Sequence, residues 1–213
     1  MDALNELSLS LMAGHIVELP SADSVHSVKD GEEVVFPIEF LHTIHPQGMP
    51  AHLLNLKIGA PVLLLRNLNP SMGLCNGTRL TIIHITFRIL TVQIMNGSHE
   101  GQHAHIPRVD LLTAEGTLPF ILRRRQFPIR LAFAMTINKA QGQSLKHLGI
   151  FLPSPVFSHG QLYVALSRSG IPANTKIFFN EVTNKQGYKI EKHNNQIISK
   201  KPFTLNVVFK EIF

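Results

Sequence analysis

LAFAMTINKAQGQSLKHLGIFLPSPVFSHGQLYVALSR, Leu131 to Arg168, is the stretch whose reading decides the fold. Leu131 to Met135 is an apolar run of strand length. It breaks into Thr136-Ile137-Asn138-Lys139-Ala140-Gln141-Gly142-Gln143-Ser144, a polar turn rich in hydrogen-bonding side chains. A second apolar run, Gly149 to Leu152, stops at Pro153. Ser158-His159-Gly160-Gln161 has the Ser-x-x-Gln spacing of a capping box and predicts a short helix over Gln161 to Ser167, with Arg168 at its end. Strand, polar turn, strand, helix is half of an α/β nucleotide-handling unit. Ligands of such sheets sit beyond the carboxyl ends of the strands, which is where this reading puts Thr136 to Ser144.

Upstream, Leu4, Leu7, Leu11 and Met12 share one helical face, and Gly14 stops that helix. Ile16 to Leu19 reads as a short strand, and the polar residues 21 to 34 as a surface loop. Glu32-Glu33 has no apolar strand before it, which argues against a magnesium-holding acidic pair. Pro37, Pro46 and Pro50 forbid a long helix between Phe36 and Leu56. A β-rich region follows, with strands at 60–66, 78–85, 88–95 and 103–106 and a hairpin signal at Asn96-Gly97. Short strands joined by turns imply a small barrel. Lys176 to Phe179 is a further strand, Asn184 to Lys201 a polar loop, and Val207 to Phe209 an edge strand.

With 44% hydrophobic and 16% charged residues, the 213-residue chain can bury a real core, in one domain or two small ones. A net charge of +6 and a pI near 9.7 favour a polyanionic partner, nucleic acid first. Cys75 is the only cysteine, so no internal disulfide forms, which fits a reducing compartment. No signal-peptide pattern opens the chain, and no apolar run approaches the ~20 residues that span a bilayer. No metal site is expected: His99, His103 and His105 are the tightest histidine group, and zinc needs four convergent ligands, or three and a water.

TINKAQGQSL and GQLYVALSR resemble motifs V and VI of the Pif-type (petite integration frequency) DNA helicases, a family that includes the helicases of Helitron transposons. LKIGAPVLLLRNLNPSMGLCNGTRL, GSHEGQHAHIPRVDL and LPFILRRRQFPIRLAFAMTINKAQGQSL are similar to the C-terminal half of that family, in family order. Leu19-Pro20-Ser21-Ala22-Asp23-Ser24-Val25 stands where the family usually reads LSADSV. The resemblance covers nearly the whole chain except about 181 to 204.

The resemblance implies an α/β fold: an incomplete second RecA-like domain carrying an inserted small Src-homology-3-like β-barrel. Residues 1–35 would begin that domain without its first strand, 36–117 would be connector and barrel, 118–180 would return to it with motifs V and VI, and 181–213 would be a tail. It implies ATP and Mg²⁺ as cofactors of the intact family. The implied partners are single-stranded DNA and a first RecA-like domain that this chain does not supply. It also implies a nuclear or mitochondrial location, and roles in repair, recombination, telomere maintenance or Helitron transposition. Arg168 would be the motif VI arginine finger; the alternative is a helix C-terminal arginine that complements the macrodipole. Gln141, Gly142 and Gln161 would meet nucleotide, though Gln161 equally suits a capping-box partner of Ser158. Thr136, Asn138 and Lys139 would touch nucleic acid. The family usually has His where Asn138 stands and Ser where Ala140 stands. Arg123, Arg124 and Arg125, flanked by Phe120 and Phe127, supply a basic track of the kind single strands need, or else a solvated basic face. No Gly-x-x-x-x-Gly-Lys-Ser/Thr occurs, so these residues offer no loop to cradle the β- and γ-phosphates. The expectation is therefore a helicase portion inactive alone; the other readings are a non-enzymatic single-stranded DNA-binding module or a transposon remnant.

Overall fold

The computed structural model describes residues 2–28, 36–180, 186–193 and 196–204. They fall into two compact units, Met1–Ala134 and Met135–Phe213. Among the described residues no helix is long and apolar enough to cross a membrane.

The first unit opens with α1 (Asp2–Leu11), followed by β1 (Val17–Pro20), β2 (Ala22–Val28) and the short α2 (Ile38–Thr43). Strands β3 (Leu53–Leu56), β4 (Pro61–Leu64), β5 (Arg79–Ile85), β6 (Ile89–Ile94), β7 (His103–Pro107), β8 (Val109–Leu112), β9 (Phe120–Gln126) and β10 (Ile129–Leu131) complete it. Five of these form an antiparallel sheet in the order β10-β4-β5-β6-β7. Period-two patterning drives it: Leu90, Val92 and Ile94 turn inward from β6, and Ala104 and Ile106 from β7. These residues join Val62, Leu64, Leu80, Ile82, Phe127 and Ile129 in one core, with Leu19, Leu54 and Leu56 from the β1–β3 pair. The Asn96-Gly97 signal does lie between paired strands, but the connection is wider than a two-residue hairpin and closes through Gly101 N–H to Ile94 O, 2.9 Å.

A second sheet, β2-β9-β8, corrects the reading of residues 21 to 34 as a loop. Residues 22–28 are a strand despite their polarity: Asp23 turns inward into an ion pair, and Val25 packs against Leu41, Phe120 and Leu122. Asp23 pairs with Arg124 of β9 where both are buried. Lys29 to Glu33, including the acidic pair, lies outside the described residues.

The expected strand at Leu131 to Met135 is also corrected. β10 stops at Leu131, which faces Val62. The next position on β4 is Pro61, which has no N–H to continue the ladder; Ala132 N–H reaches Pro61 O at 2.9 Å and pairing ends. The chain is then tied to α1: Asn5 Nδ2 donates to Ala134 O (3.2 Å), and Ala134 N–H donates to Asn5 Oδ1 (2.8 Å).

The second unit contains β11 (Leu148–Leu152), α3 (Gln161–Leu166) and β12 (Thr175–Phe179). β11 and β12 pair in parallel, so α3 is their crossover. Ile150, Leu152, Val156 and Ala165 form its buried apolar cluster, with Ile137, Leu148, Leu162 and Phe179 against them. The polar stretch expected as a loop instead forms an antiparallel pair, β13 (Gln186–His193) and β14 (Gln196–Thr204). Gln186 anchors it: its buried Nε2 donates to Leu152 O at 2.7 Å and its Oε1 accepts from Thr204 Oγ1 at 2.9 Å. The expected edge strand at Val207 to Phe209 lies outside the described residues.

Candidate functional site

The polar turn is built from the inside by Ile137 and Ala140, which face the core of the second unit while Thr136, Asn138, Lys139 and Gln141 are exposed. Asn138 to Ala140 make one 3-10 turn, with Lys139 and Ala140 N–H groups on Thr136 O at 3.0 and 3.1 Å. Gly142 follows at φ +76°, a left-handed conformation that glycine takes without a Cβ penalty. A Cβ there would meet nothing within 4 Å, so the backbone is open on that side.

Arg168 lies against this turn. Its NH1 donates to Gln143 O (3.2 Å) and Ala140 O (3.4 Å), its Nε to Val164 O (2.8 Å), and its NH2 to Ser167 Oγ (2.7 Å). Its own carbonyl accepts from Leu145 N–H at 2.8 Å. No carboxylate among the described residues pairs with it. A guanidinium half-buried on carbonyls beside a glycine-opened turn is an arrangement that favours an incoming anion.

The placement of the turn differs from the expectation. Because α3 runs back across the parallel pair, its last turn and Arg168 return to the start of β11, at Gln143 to Leu145. The strand whose carboxyl end was expected to carry the turn, Leu131 to Met135, stops at Leu131, so the turn instead leads into the amino end of β11.

The capping box is corrected as well. The helix N-cap is Gly160 at φ +72°, with no side-chain cap. Gln161 reaches back one residue further than the box predicts: its Oε1 accepts the Phe157 N–H at 3.1 Å, and its N–H donates to Ser158 O at 3.3 Å. Its carboxamide oxygen is thus used in shaping the loop before α3.

The arginine run belongs to the first unit and divides by strand alternation. Arg123 and Arg125 are exposed, and Arg123 NH2 pairs with Asp110 Oδ2 at 2.5 Å. Arg124 is fully buried, which removes it from the residues able to reach DNA. All five of its N–H donors are taken. Nε and NH2 fork onto Asp23 at 2.7–3.1 Å, NH2 also meets Leu41 O at 3.1 Å, and NH1 meets Ile44 O and Pro50 O at 3.2 and 3.1 Å. Asp23 was not visible as its partner in the sequence; the one signal was an acid at an inward position of an alternating stretch.

His99, His103 and His105 do not form a ligand group. His103 and His105 alternate with Ala104 and Ile106 and face outward, and His105 Nδ1 sits 3.3 Å from Thr91 Oγ1. Among the described residues, the group with ligand atoms within 4.8 Å of one another is Asp23, His42 and His52. The rings of His42 and His52 stack at 3.5 Å and 14°, so their in-plane lone pairs run side by side and do not converge. Both Asp23 oxygens already serve Arg124, whose charge repels a cation. These residues do not fit a metal ion.

The fit to ATP and magnesium is one-sided. Arg168 and the open backbone at Gly142 suit one side of a polyphosphate, and the sequence has no Gly-x-x-x-x-Gly-Lys-Ser/Thr loop to cradle the other.

Residues 39–85 match the family described as DNA helicase Pif1, 2B domain. The ATP-dependent DNA helicase PIF1 of Homo sapiens is 39% identical over 134 residues, which is 62% of this chain and 20% of that protein. The ATP-dependent DNA helicase Pif1 of Bdellovibrio bacteriovorus is 33% identical over 144 residues, 68% of this chain and 30% of that protein. Among solved structures, one of two coordinating Pif1 helicases unwinding forked dsDNA superposes with a TM-score of 0.58 at 26% identity, covering 82% of this chain and 35% of that one. The chain thus spans less than a third of the length of these curated relatives. Matching in sequence, in the 2B segment and in mixed α/β fold, it belongs to the Pif1-type DNA helicase family, as a part of the length its relatives have.

Proposed function

We propose that this chain is the C-terminal portion of an ATP-dependent DNA helicase, supplying one wall of a site that needs a nucleotide-binding half to complete it. In this reading Met135–Phe213 belongs to an incomplete second RecA-like domain, and the five-stranded sheet is the Src-homology-3-like insert. Arg168 is the motif VI arginine finger, and Gln141, Gly142 and Gln161 line the nucleotide. The observation that carries this is the seat of Arg168: a guanidinium with no carboxylate partner among the described residues, on the carbonyls of the motif V turn. A finger that meets a transferring phosphoryl group is worth roughly 10³ to 10⁵ in rate. To act so, Arg168 exchanges carbonyl acceptors at Ala140 and Gln143 for phosphate oxygens. When bound, ATP with Mg²⁺ supplies the free energy of translocation. The exposed Thr136, Asn138, Lys139, Arg123 and Arg125 contact single-stranded DNA, in the nucleus or the mitochondrion.

The purified chain is expected to bind single-stranded oligonucleotides in a salt-dependent manner, unaffected by ATP, and to show no DNA-stimulated ATP hydrolysis. Hydrolysis above background overturns the half-site reading. No binding at low salt removes the DNA contact.

A further inference from the structure

The turn from β5 to β6 carries Phe87 and Arg88, both exposed, with 68% of Phe87 open to solvent. This turn is fastened at its base. Thr86 N–H donates to Ile89 O at 3.1 Å, Thr86 Oγ1 donates to the same carbonyl at 2.7 Å, and Ile89 N–H returns to Thr86 Oγ1 at 3.0 Å. Arg108 braces it from the side, with Nε on Phe87 O at 2.8 Å and NH1 on Pro20 O at 2.6 Å. Its guanidinium carbon lies 5.9 Å from the Phe87 ring centre and 4.7 Å from that of Phe127.

The charge here is uncompensated. Burial first, and then the neighbouring Arg125 cation, lower the Arg108 pKa from its ordinary value. Among the described residues no carboxylate lies within ion-pair distance of Arg88, Arg108 or Arg125. NH2 of Arg108 is buried without a hydrogen-bond partner. The fold thus tolerates an unpaired donor, like-charge repulsion and an exposed aromatic ring in one place. Each costs stability in the free protein. A single nucleic-acid strand offers the complement of the last two, a flat base for the ring and phosphates for the cations.

We propose that Phe87 is a base-stacking platform for single-stranded DNA, braced by Arg108, with the exposed Arg88 and Arg125 serving the adjoining phosphates. This rests on the DNA-binding reading above and adds a contact that reading lacks.

The test is fluorescence anisotropy of the whole chain with a labelled oligothymidine of about 12 nucleotides, within the site sizes of single-strand binders. Phe87→Ala is expected to weaken binding about ten-fold or more, as loss of one base–aromatic stack does. An abasic strand of the same length should bind wild type and variant alike. Because the chain has no tryptophan, Phe87→Trp places a single reporter at the turn. Its emission should be quenched on saturation with the oligonucleotide, and its affinity retained. Wild-type affinity in Phe87→Ala, or Trp emission unmoved at saturation, overturns the platform while leaving DNA binding intact. If wild type binds no strand, both readings fall. Should Phe87→Ala misfold, the Phe87→Trp quench alone decides.

Discussion

Replacing Arg124 with methionine should unfold the first unit far more readily than replacing either neighbour. Arg124 and Asp23 are both fully buried as side chains. Removing the guanidinium leaves a buried carboxylate with Ser21 Oγ as its remaining close partner, at 2.5 Å, and strips the donors from the carbonyls of Leu41, Ile44 and Pro50. Breaking one side of such a pair costs about 3–5 kcal/mol. That is a large share of the ~5–15 kcal/mol that holds a domain together. For a unit of this size it corresponds to a drop of roughly 10–20 °C in Tm. Urea unfolding followed by circular dichroism gives the free energy. Arg125→Ala, at an exposed position, should not lower the midpoint and should weaken single-stranded DNA binding instead. The double change Asp23→Leu with Arg124→Met should recover most of the loss, because no unpaired charge remains. A loss under about 1 kcal/mol for Arg124→Met, the size of an average substitution, would refute the buried-pair reasoning.

Burial, followed by the His42 ring, lowers the His52 pKa below 6.5. The fold therefore prefers the neutral imidazole, and its contribution is fully present above pH 6.5 and lost as pH falls toward the folded value. Melting temperature between pH 7.5 and 5 should fall less steeply in His52→Gln than in wild type; identical slopes would count against it. Asn5→Ala removes both hydrogen bonds to Ala134 at a buried position, and should cost about 1–3 kcal/mol in urea unfolding. Arg168→Ala should speed amide hydrogen exchange at residues 140–145 by releasing the carbonyls it holds, and leave the first unit's exchange unaltered. Unchanged exchange across the turn would show that the guanidinium does not sit there.

Most of the strand positions were legible because the signal is local. Val92 and Ile94 on β6, and Ala104 and Ile106 on β7, announce a half-buried sheet by alternation alone. The match of the polar turn and of Gln161–Arg168 to one family was likewise carried by letters in order, and the kinship found at 39% and 33% identity agrees with it. Local pattern misled where the deciding contact was distant. β2 looks like a loop because its inward side chain is an aspartate, whose partner stands 101 residues later. The apolar run at Leu131 ends early because Pro61, across the sheet, has no donor to offer. The Gln186 anchor was hidden because glutamine in a polar stretch carries no mark of burial.

By itself the sequence determined the family, the period-two core and the residue types available to meet an anion, since each depends on neighbours along the chain. Tertiary structure alone decided which of three consecutive arginines is a structural cation and which two face solvent. A β-strand turns alternate side chains to opposite sides, and only a folded partner strand, bringing Asp23 against Arg124, says which side is the interior.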